Sequence, residues 1–266
     1  MLLSRLSFVE SKKALDGIPD GKCLIDTLNA YSFVLAQKDS QYAEAINSCD
    51  YLLPDGASIV LACRWLKGRC VPKERIAGWD LFSYDMRRQE EVAQKTGGRR
   101  KILFVGSSEA VLHLIQERVK ADYPHLDTLI YSPPYKKTFS EDDSRAIVEY
   151  INKTHPDLLW IGMTAPKQEI WLWQHWQQLD IDCHVGAIGA VFDFYAGTVK
   201  RAPLWMQRHA LEWLYRWVQE PKRLWRRYMI GNPLFAWYIL KEKTTNRSGM
   251  LLYHSNPAKT TQKDEQ

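Results

Sequence analysis

One carboxylate in the sequence is placed where it could act as a general base. Asp55 lies in "YLLPDGASIV", at the end of an apolar run and between a proline and a glycine. Pro-Asp-Gly is a common turn tripeptide, so an Asx turn is one interpretation of this aspartate. A base at the carboxyl end of a strand is the other, with Pro54 stiffening the backbone and Gly56 giving a substrate room to approach. The two interpretations are compatible with each other.

Two further runs carry polar side chains that could hold a substrate. Thr27 and Asn29 in "DTLNAY" are alternate residues, and they point the same way if a strand continues through them. The alternative is an N-cap for the following helix. Arg75 in "ERIAGWD" could bind phosphate through its planar guanidinium group, and a solvated surface arginine is the other interpretation.

The run "GMTAPKQEIW" is typical of a helix amino terminus that binds an anion. Pro166 suits the first helical position, so Lys167 and Gln168 fall in the first turn. Free backbone N–H groups and the helix dipole favour a negatively charged ligand there. A helix cap without a ligand is the alternative.

The elements that position these residues alternate between strand and helix. Apolar runs of strand length alternate with longer segments of helical period, which predicts an α/β fold with a Rossmann-like parallel sheet and helices on both faces. Ser140 and Asp143 are spaced as a capping box at the start of one predicted helix. The predicted strands are "KCLIDTL", "DYLLPDG", "KILFV", "LDTLIY", "DLLWIGM" and "DCHVGAIGAVFDF".

Ligands of such folds bind outside the carboxyl ends of the parallel strands. The candidate residues lie at or just past such ends, so we expect them to converge on one cleft. They are Thr27, Asn29, Asp55, Gly106, Tyr135, Thr164 to Gln168, and Asp193. The single Gly106 after "KILFV" is too weak a signal for a dinucleotide site, and the sequence contains no GxxxxGK[ST] for an NTPase.

Metal chemistry finds little support in the sequence. Asp180 and Asp182 form the only DxD, and they precede a predicted strand at the end of the sheet opposite the expected cleft, so we interpret them as a surface turn. The sequence has no HExxH and no paired His ligands. The five cysteines form no CxxC, which argues against a zinc site and a disulfide framework and favours a reducing, cytoplasmic compartment.

The region from Lys200 to Lys243 is basic and rich in tryptophan. It holds ten Lys and Arg against three Glu, with five of the eleven Trp. Tryptophans in a core and arginines on a solvated face are the ordinary interpretation. An interfacial anchor on an anionic membrane needs the same residue types, and so does a nucleic-acid-binding surface. The number of tryptophans favours the membrane anchor. The interleaved residues are Arg216, Arg223, Arg226 and Arg227 with Trp213, Trp217 and Trp225.

These patterns divide the chain into three parts. We predict an α/β core over residues 1–200, a basic and aromatic helical appendage for membrane association over 201–243, and a flexible polar tail over 244–266. Charges interrupt the amino terminus too often for a signal peptide, and no run approaches the roughly 20 apolar residues of a membrane span. We expect a protein that is not secreted.

Seven runs together resemble the WecG/TagA/CpsF family of bacterial glycosyltransferases, in order from about residue 5 to residue 230. The resemblance implies an inverting enzyme of cell-surface polysaccharide biosynthesis that moves a sugar from a UDP-sugar to an undecaprenyl-diphosphate-linked saccharide. It implies a peripheral protein at the cytoplasmic face of the bacterial inner membrane, with no divalent metal and no cofactor. The runs are "DTLNAY", "LLPDG", "ERIAGWD", "GMTAPKQE", "GAIGAVFDFYAG", "RAPLW" and "LEWLYRWVQEPKRLWRRY".

The resemblance also implies catalytic roles for five residues. Asp55 matches the proposed general base of the family. Thr27 and Asn29 match the polar pair beside that base. Arg75 matches an arginine near the substrate, and Gln168 falls on an active-site glutamine.

For the nucleotide sugar, position at a strand end and in a first helical turn points to Gly106 and Lys167. The resemblance adds Tyr135, which would stack on the uracil, and Asp193, which would bond to it. The C-terminal appendage is implied to dock on the membrane, to release a monomer from an oligomer and to bring arginines over the diphosphate. The residues expected at the diphosphate and the membrane are Arg216, Arg223, Arg226, Arg227, Trp213, Trp217 and Trp225.

Two rival functions stay open at this point. One is a nucleic-acid-binding α/β protein that uses the basic C-terminal region, and the other is a nucleotide-sugar-binding regulator without turnover. The resemblance favours the transferase, for which no nucleic-acid partner is expected. The sequence does not select among N-acetylmannosamine, N-acetylmannosaminuronic acid and glucose as donor sugars, and it leaves the acceptor saccharide and the oligomeric state open.

Overall fold

The computed structural model describes residues 1–203, 205–206 and 212–254, without the side chains of residues 223 and 246–254. Its centre is a sheet of six parallel strands in the order β2-β1-β6-β5-β3-β4. This sheet confirms the predicted α/β, Rossmann-like fold. The strands are β1 (Cys23–Leu28), β2 (Tyr51–Pro54), β3 (Arg100–Gly106), β4 (Leu126–Tyr131), β5 (Leu158–Gly162) and β6 (His184–Ala187).

Helices cover both faces of the sheet. On β3, Ile102 and Phe104 belong to one apolar cluster, whereas Leu103 and Val105 belong to another. Because both faces are buried, the central strands read as continuous apolar runs. The helices are α1 (Ala30–Ala36), α2 (Ser40–Ser48), α3 (Ala57–Leu66), α4 (Gly78–Thr96), α5 (Glu109–Asp122), α6 (Glu141–Thr154), α7 (Lys167–His175), α8 (Val191–Ala196), α9 (Glu212–Gln219), α10 (Pro221–Trp225) and α11 (Gly231–His254), with a π-helical turn at Arg226–Ile230.

Local side-chain caps set the start of several helices. The hydroxyl of Ser140 accepts the N–H of Asp143 at 3.2 Å, and the Asp143 carboxylate accepts the N–H of Ser140 at 2.9 Å. This reciprocal pair is the capping box predicted for α6. Asp39 and Ser108 cap α2 and α5 in the simpler way, each by accepting one backbone N–H.

The sixth strand is shorter than predicted. The run "DCHVGAIGAVFDF" is predicted as a single strand, but β6 ends at Ala187 and α8 begins at Val191. Gly189 adopts a φ of +37°, and its N–H donates to the carbonyl of Ile161 at 3.4 Å, so the chain turns away from the sheet. The predicted extent of this strand is therefore wrong, and Asp193 lies on a helix.

The C-terminal helix α11 packs on the core. Phe235 and Ile239 are buried in the apolar cluster that contains Phe33 of α1. Glu242 accepts the backbone N–H of Leu3 at 2.9 Å, which ties the helix to the start of the chain. The helix also continues beyond residue 243, inside the segment predicted as a tail, and residues 255–266 lie outside the described part of the chain. Within that part, no helix is long and apolar enough to cross a membrane.

Candidate functional site

A cleft of about 530 Å³ lies at the carboxyl ends of β1, β2 and β6. Helices α1, α3, α4 and α8 line the side that belongs to the sheet, and α9, the π-helical turn and α11 line the opposite side. Among its described lining residues, cationic side chains outnumber carboxylates. The arginines are Arg75, Arg201, Arg216 and Arg227, and the carboxylates are Asp55 and Glu212. Such a cleft favours an anionic ligand.

Asp55 stands at the end of β2 inside this cleft. Its N–H donates to the carbonyl of Leu28 at 2.9 Å, which extends the pairing of β1 with β2 by one bond. Gly56 follows with a φ of +129°, a conformation that favours glycine, and caps the backbone of α3. The Asp55 carboxylate makes no hydrogen bond to any residue that the structure describes, so the Asx turn does not form there. Within the described part of the chain, this carboxylate is therefore available to a ligand in the cleft.

Competing effects set the protonation of Asp55. Burial raises the pKa of its carboxyl group above the ordinary value, and the arginines around it, first Arg75 and then Arg227, oppose that rise. The charge of Glu212 adds to the rise. A carboxylate whose pKa is raised is a stronger base than an ordinary aspartate.

Thr27 and Asn29 reach the same cleft by different routes. Thr27 is the last but one residue of β1 and pairs in register with Leu53, which lies two residues before Asp55. Asn29 is the N-cap of α1, because its Oδ1 accepts the N–H groups of Tyr31 at 3.1 Å and Ser32 at 3.0 Å. The N-cap interpretation is thus correct for Asn29, which also lines the cleft.

Glu212 is a cleft residue that the sequence analysis missed. Its carboxylate forms an ion pair with Arg75 at 3.0 Å and lies 3.5 Å from Nε of Arg201. The Arg201 guanidinium in turn stacks over the ring of Trp79 at 4.8 Å. All of these charged groups are largely buried. A glutamate among the arginines of the C-terminal region was the available signal.

The arginines of the C-terminal region divide between the cleft and the surface. Arg216 lies 5.2 Å from the ring of Phe194, and its Nε is buried with no partner in the described chain. Arg227 lies 5.5 Å from the ring of Tyr31, and burial lowers the pKa of its guanidinium. Arg226 is exposed and does not line the cleft. The side chain of Arg223 lies outside the described residues.

The three tryptophans of the same region are also split. Trp213 lines the cleft and remains partly exposed. Trp217 buries its indole N–H with no partner among the side chains described. Trp225 is exposed and lies 6.0 Å from the guanidinium of Arg226.

Five of the residues predicted for catalysis or for nucleotide-sugar binding lie outside the lining of this cleft. Gly106 closes β3, where an added Cβ would come within 2.5 Å of the carbonyl of Gly162, so its glycine has a packing reason. Tyr135 is fully exposed in the loop after β4. Lys167 donates to the carbonyl of Lys136 at 2.6 Å.

Gln168 and Asp193 take part in local structure. Gln168 is buried, and its Oε1 accepts the N–H of Met163 at 3.1 Å, which braces the loop after β5. Asp193 accepts the N–H of Val199 at 3.3 Å through its carbonyl group, at the end of α8. Neither contact tests the role that the resemblance implies for these residues.

A buried carboxyl pair lies directly behind the cleft, and the sequence analysis missed it. Asp26 precedes Thr27 on β1. Burial raises the pKa of the Asp26 carboxyl group, and the nearby charge of Glu169 on α7 raises it further. Burial raises the pKa of Glu169 to about 7. Both Asp26 oxygens and Oε2 of Glu169 have no hydrogen-bond partner among the described residues. The described residues contain no group of three or more metal-ligating side chains.

Comparison with known proteins gives concordant matches. A sequence model of the glycosyl transferase WecG/TagA/CpsF family matches residues 3–249. An N-acetylglucosaminyldiphosphoundecaprenol N-acetyl-beta-D-mannosaminyltransferase of Bacillus subtilis is 29% identical over 85% of this chain and 82% of the relative. The enzyme of the same name from Bacillus spizizenii is 32% identical over 78% and 75%. That of Staphylococcus aureus strain MW2 is 28% identical over 82% and 80%.

Proposed function

The chain belongs to the glycosyl transferase WecG/TagA/CpsF family, and on that premise we propose that it moves a sugar from a UDP-sugar to a hydroxyl of an undecaprenyl-diphosphate-linked saccharide, with inversion at the anomeric carbon. One observation carries the proposal. The carboxylate of Asp55, which has no hydrogen-bond partner among the described residues, lies beside several arginines in a cleft of about 530 Å³ at the carboxyl edge of the sheet. A base beside cationic groups is what transfer from a nucleotide diphosphate requires.

The relatives suggest the sugars. By their names, they transfer N-acetyl-beta-D-mannosamine to N-acetylglucosaminyldiphosphoundecaprenol. We propose the same acceptor class for this chain and UDP-N-acetylmannosamine as the first donor to test. N-acetylmannosaminuronic acid and glucose stay as alternative donor sugars.

Asp55 acts as the general base in this proposal. It accepts the proton of the acceptor hydroxyl as that oxygen attacks the anomeric carbon, and the bond to UDP breaks. Burial supports this role because it raises the pKa of the carboxyl group. Thr27 and Asn29 line the cleft beside it, where they can orient the acceptor hydroxyl.

The arginines stabilise the leaving group. UDP departs with negative charge on its diphosphate, and a guanidinium group can bind two phosphate oxygens at once. Arg75, Arg201, Arg216 and Arg227 line the cleft. Arg75 and Arg201 both lie beside Glu212, so the diphosphate competes with this carboxylate for them.

The surface of the C-terminal helices supports docking on a membrane. Exposed apolar side chains there accompany exposed cations such as Lys222 and Arg226. This combination suits the interface of an anionic bilayer, where apolar rings enter the headgroup region and cations meet the phosphates. We therefore place the protein at the cytoplasmic face of the inner membrane, as a peripheral protein. The exposed apolar residues are Trp213, Val218, Trp225, Met229 and Ile230.

Turnover of a panel of UDP-sugars tests the activity. Each sugar is incubated with a short-chain polyprenyl-diphosphate N-acetylglucosamine acceptor, detergent and EDTA, and UDP release and product mass are followed. Release of UDP with a matching gain in mass supports the transferase and identifies its donor. UDP binding without turnover across the panel supports a regulator, and loss of UDP binding together with salt-sensitive oligonucleotide binding supports the nucleic-acid function.

Sedimentation with vesicles tests the membrane surface separately. The variant Trp225→Glu with Met229→Glu is compared with Leu114→Glu, which changes an exposed leucine on α5. We expect the double variant to stop sedimenting with anionic vesicles while the control still does. Full-length chains are used because α11 supplies Phe235 and Ile239 to the core. Equal sedimentation of both variants would contradict docking through this surface.

A further inference from the structure

Helix α3 carries an exposed apolar stripe that begins at the cleft. Ala57 and Ser58, its first two residues, line the cleft. Leu61 and Trp65 follow on the same face, because residues three and four apart on a helix are neighbours. Leu61 is 62% exposed and Trp65 is 49% exposed, whereas Ile59 faces the core. Large apolar residues in such a row on solvent-facing helix surface indicate a contact with another apolar group.

Helix α11 carries a second stripe that also begins at the cleft. Ala236 lines the cleft, and Leu240 and Lys243 follow it at helical spacing on the same face. Leu240 is 53% exposed. The Lys243 ammonium donates to the carbonyl of Trp65 at 2.6 Å and lies 5.7 Å from the centroid of its ring. The two stripes therefore start at one cleft and meet at Trp65.

This convergence defines a path along the surface. It is formed by Leu61 and Trp65 on one helix and by Ala236 and Leu240 on the other. From Ser58 to Trp65 a helix advances about 10 Å. The buried faces of the same two helices share one apolar cluster, which holds the path in a fixed shape.

We propose that this path binds the first isoprene units of the lipid-linked acceptor, a role that rests on the proposed function. The acceptor joins an apolar chain to a diphosphate. When the acceptor hydroxyl lies at Asp55, the attached chain has to leave the cleft, and contact with exposed apolar side chains removes both surfaces from water. The α3 and α11 stripes provide such contact directly at the cleft. The occupant is a single polyisoprenyl chain, and the bilayer surface is the alternative that the experiment separates.

The experiment measures binding without turnover. Geranyl, farnesyl and geranylgeranyl diphosphate are titrated into the full-length protein by calorimetry, below their micellar concentrations and without membrane. We expect affinity to rise with chain length in the wild type. In Leu61→Gln and Leu240→Gln the rise is expected to shrink by about tenfold, with geranyl diphosphate binding little changed. Leu114→Gln, on an exposed leucine of α5, is the matched control and keeps the full rise.

Other results would overturn the proposal. Affinity that does not depend on chain length in the wild type excludes an isoprene path. A full chain-length dependence in both leucine variants, with loss of binding to anionic vesicles, makes the stripes a contact for the bilayer surface only. Because the titration contains no donor sugar, these results are independent of the turnover assay, whose failure would count against the transferase itself.

Discussion

Replacement of Asp55 by asparagine separates catalysis from folding. Asparagine keeps the shape of the side chain and removes its charge and basicity. The carboxylate makes no hydrogen bond to a described residue, so within the described part of the chain the exchange removes only its charge interactions with the nearby arginines and Glu212. A general base contributes about 10²–10⁴-fold to a rate, so we expect turnover to fall by that factor, which is about 3–5 kcal/mol of transition-state stabilisation.

The same exchange is expected to stabilise the protein at neutral pH. Burial raises the pKa of Asp55, so its ionised form is less favourable in the folded state than in the unfolded chain. This cost is absent below the unfolded pKa of 3.8, develops as pH rises from there to the folded pKa, and is complete above the folded pKa. The thermal midpoint of Asp55→Asn should therefore exceed that of the wild type at pH 7, and the difference should vanish near pH 3.5 to 4.

Three measurements decide this prediction. UDP release at saturating donor gives kcat, calorimetry at pH 4 and pH 7 gives the midpoints, and a pH series gives the acid limb of the rate, which the variant should lack. Asp180→Asn, in the exposed turn before β6, is the control and should leave all three unchanged. A rate within about twofold of the wild type would remove Asp55 as the base. A lower midpoint at pH 7 would show that the carboxylate has a stabilising partner.

Three further predictions follow from charged groups of the cleft and of the core. Glu212→Gln should bind UDP more tightly than the wild type, because its carboxylate and the diphosphate compete for the guanidinium of Arg75. Arg75→Gln should bind UDP at least about tenfold more weakly than the wild type. Equal affinities of the wild type and both variants by calorimetry would contradict this competition. The wild type should lose about 1 kcal/mol of stability per pH unit between pH 5 and 7, because Glu169 has a pKa raised to about 7. Denaturant titrations of Glu169→Gln should show a smaller loss of stability per pH unit, and an equal loss would exclude the buried pair as the cause. Burial lowers the pKa of His184, but its hydrogen bond to Asp85 at 3.1 Å outweighs burial and raises it, so this pair stabilises the fold below pH 6.5 and less as pH rises through the folded pKa. Asp85→Asn should therefore cost about 1–3 kcal/mol at pH 6 and less at pH 8, and an equal cost at both would contradict a charged His184.

Local patterns in the sequence were enough to predict the elements and some of their ends. The capping box of Ser140 and Asp143 spans four residues, and the apolar run of β3 predicts a strand buried on both faces. The end of β6 was missed because "GAIGAVFDF" stays apolar where the chain leaves the sheet. Burial of Phe192 on a helix and of Val185 on a strand yields the same hydrophobic pattern.

Asp55 and Asn29 show how the sequence and the structure each contribute to the description of the cleft. The rule that ligands bind at the carboxyl ends of parallel strands placed both at a common cleft before their contacts were known. The structure then separates them: Asn29 caps α1 with two hydrogen bonds, whereas Asp55 has no such partner in the described chain. Pro-Asp-Gly fits both a turn and a base, and the tripeptide carries no information about the arginines that surround Asp55 in the fold.

The sequence by itself determined the parallel α/β fold, the family and the position of Asp55, because periodicity, caps and strand-end motifs are encoded within short segments. Tertiary structure alone decided which charges meet. Arg75 and Glu212 are 137 residues apart in sequence, yet their side chains lie 3.0 Å apart. Tertiary structure also decided that Arg227 faces the cleft and its neighbour Arg226 does not. Adjacent residues point to different sides of a helix, and the side that faces a ligand depends on how the helix packs.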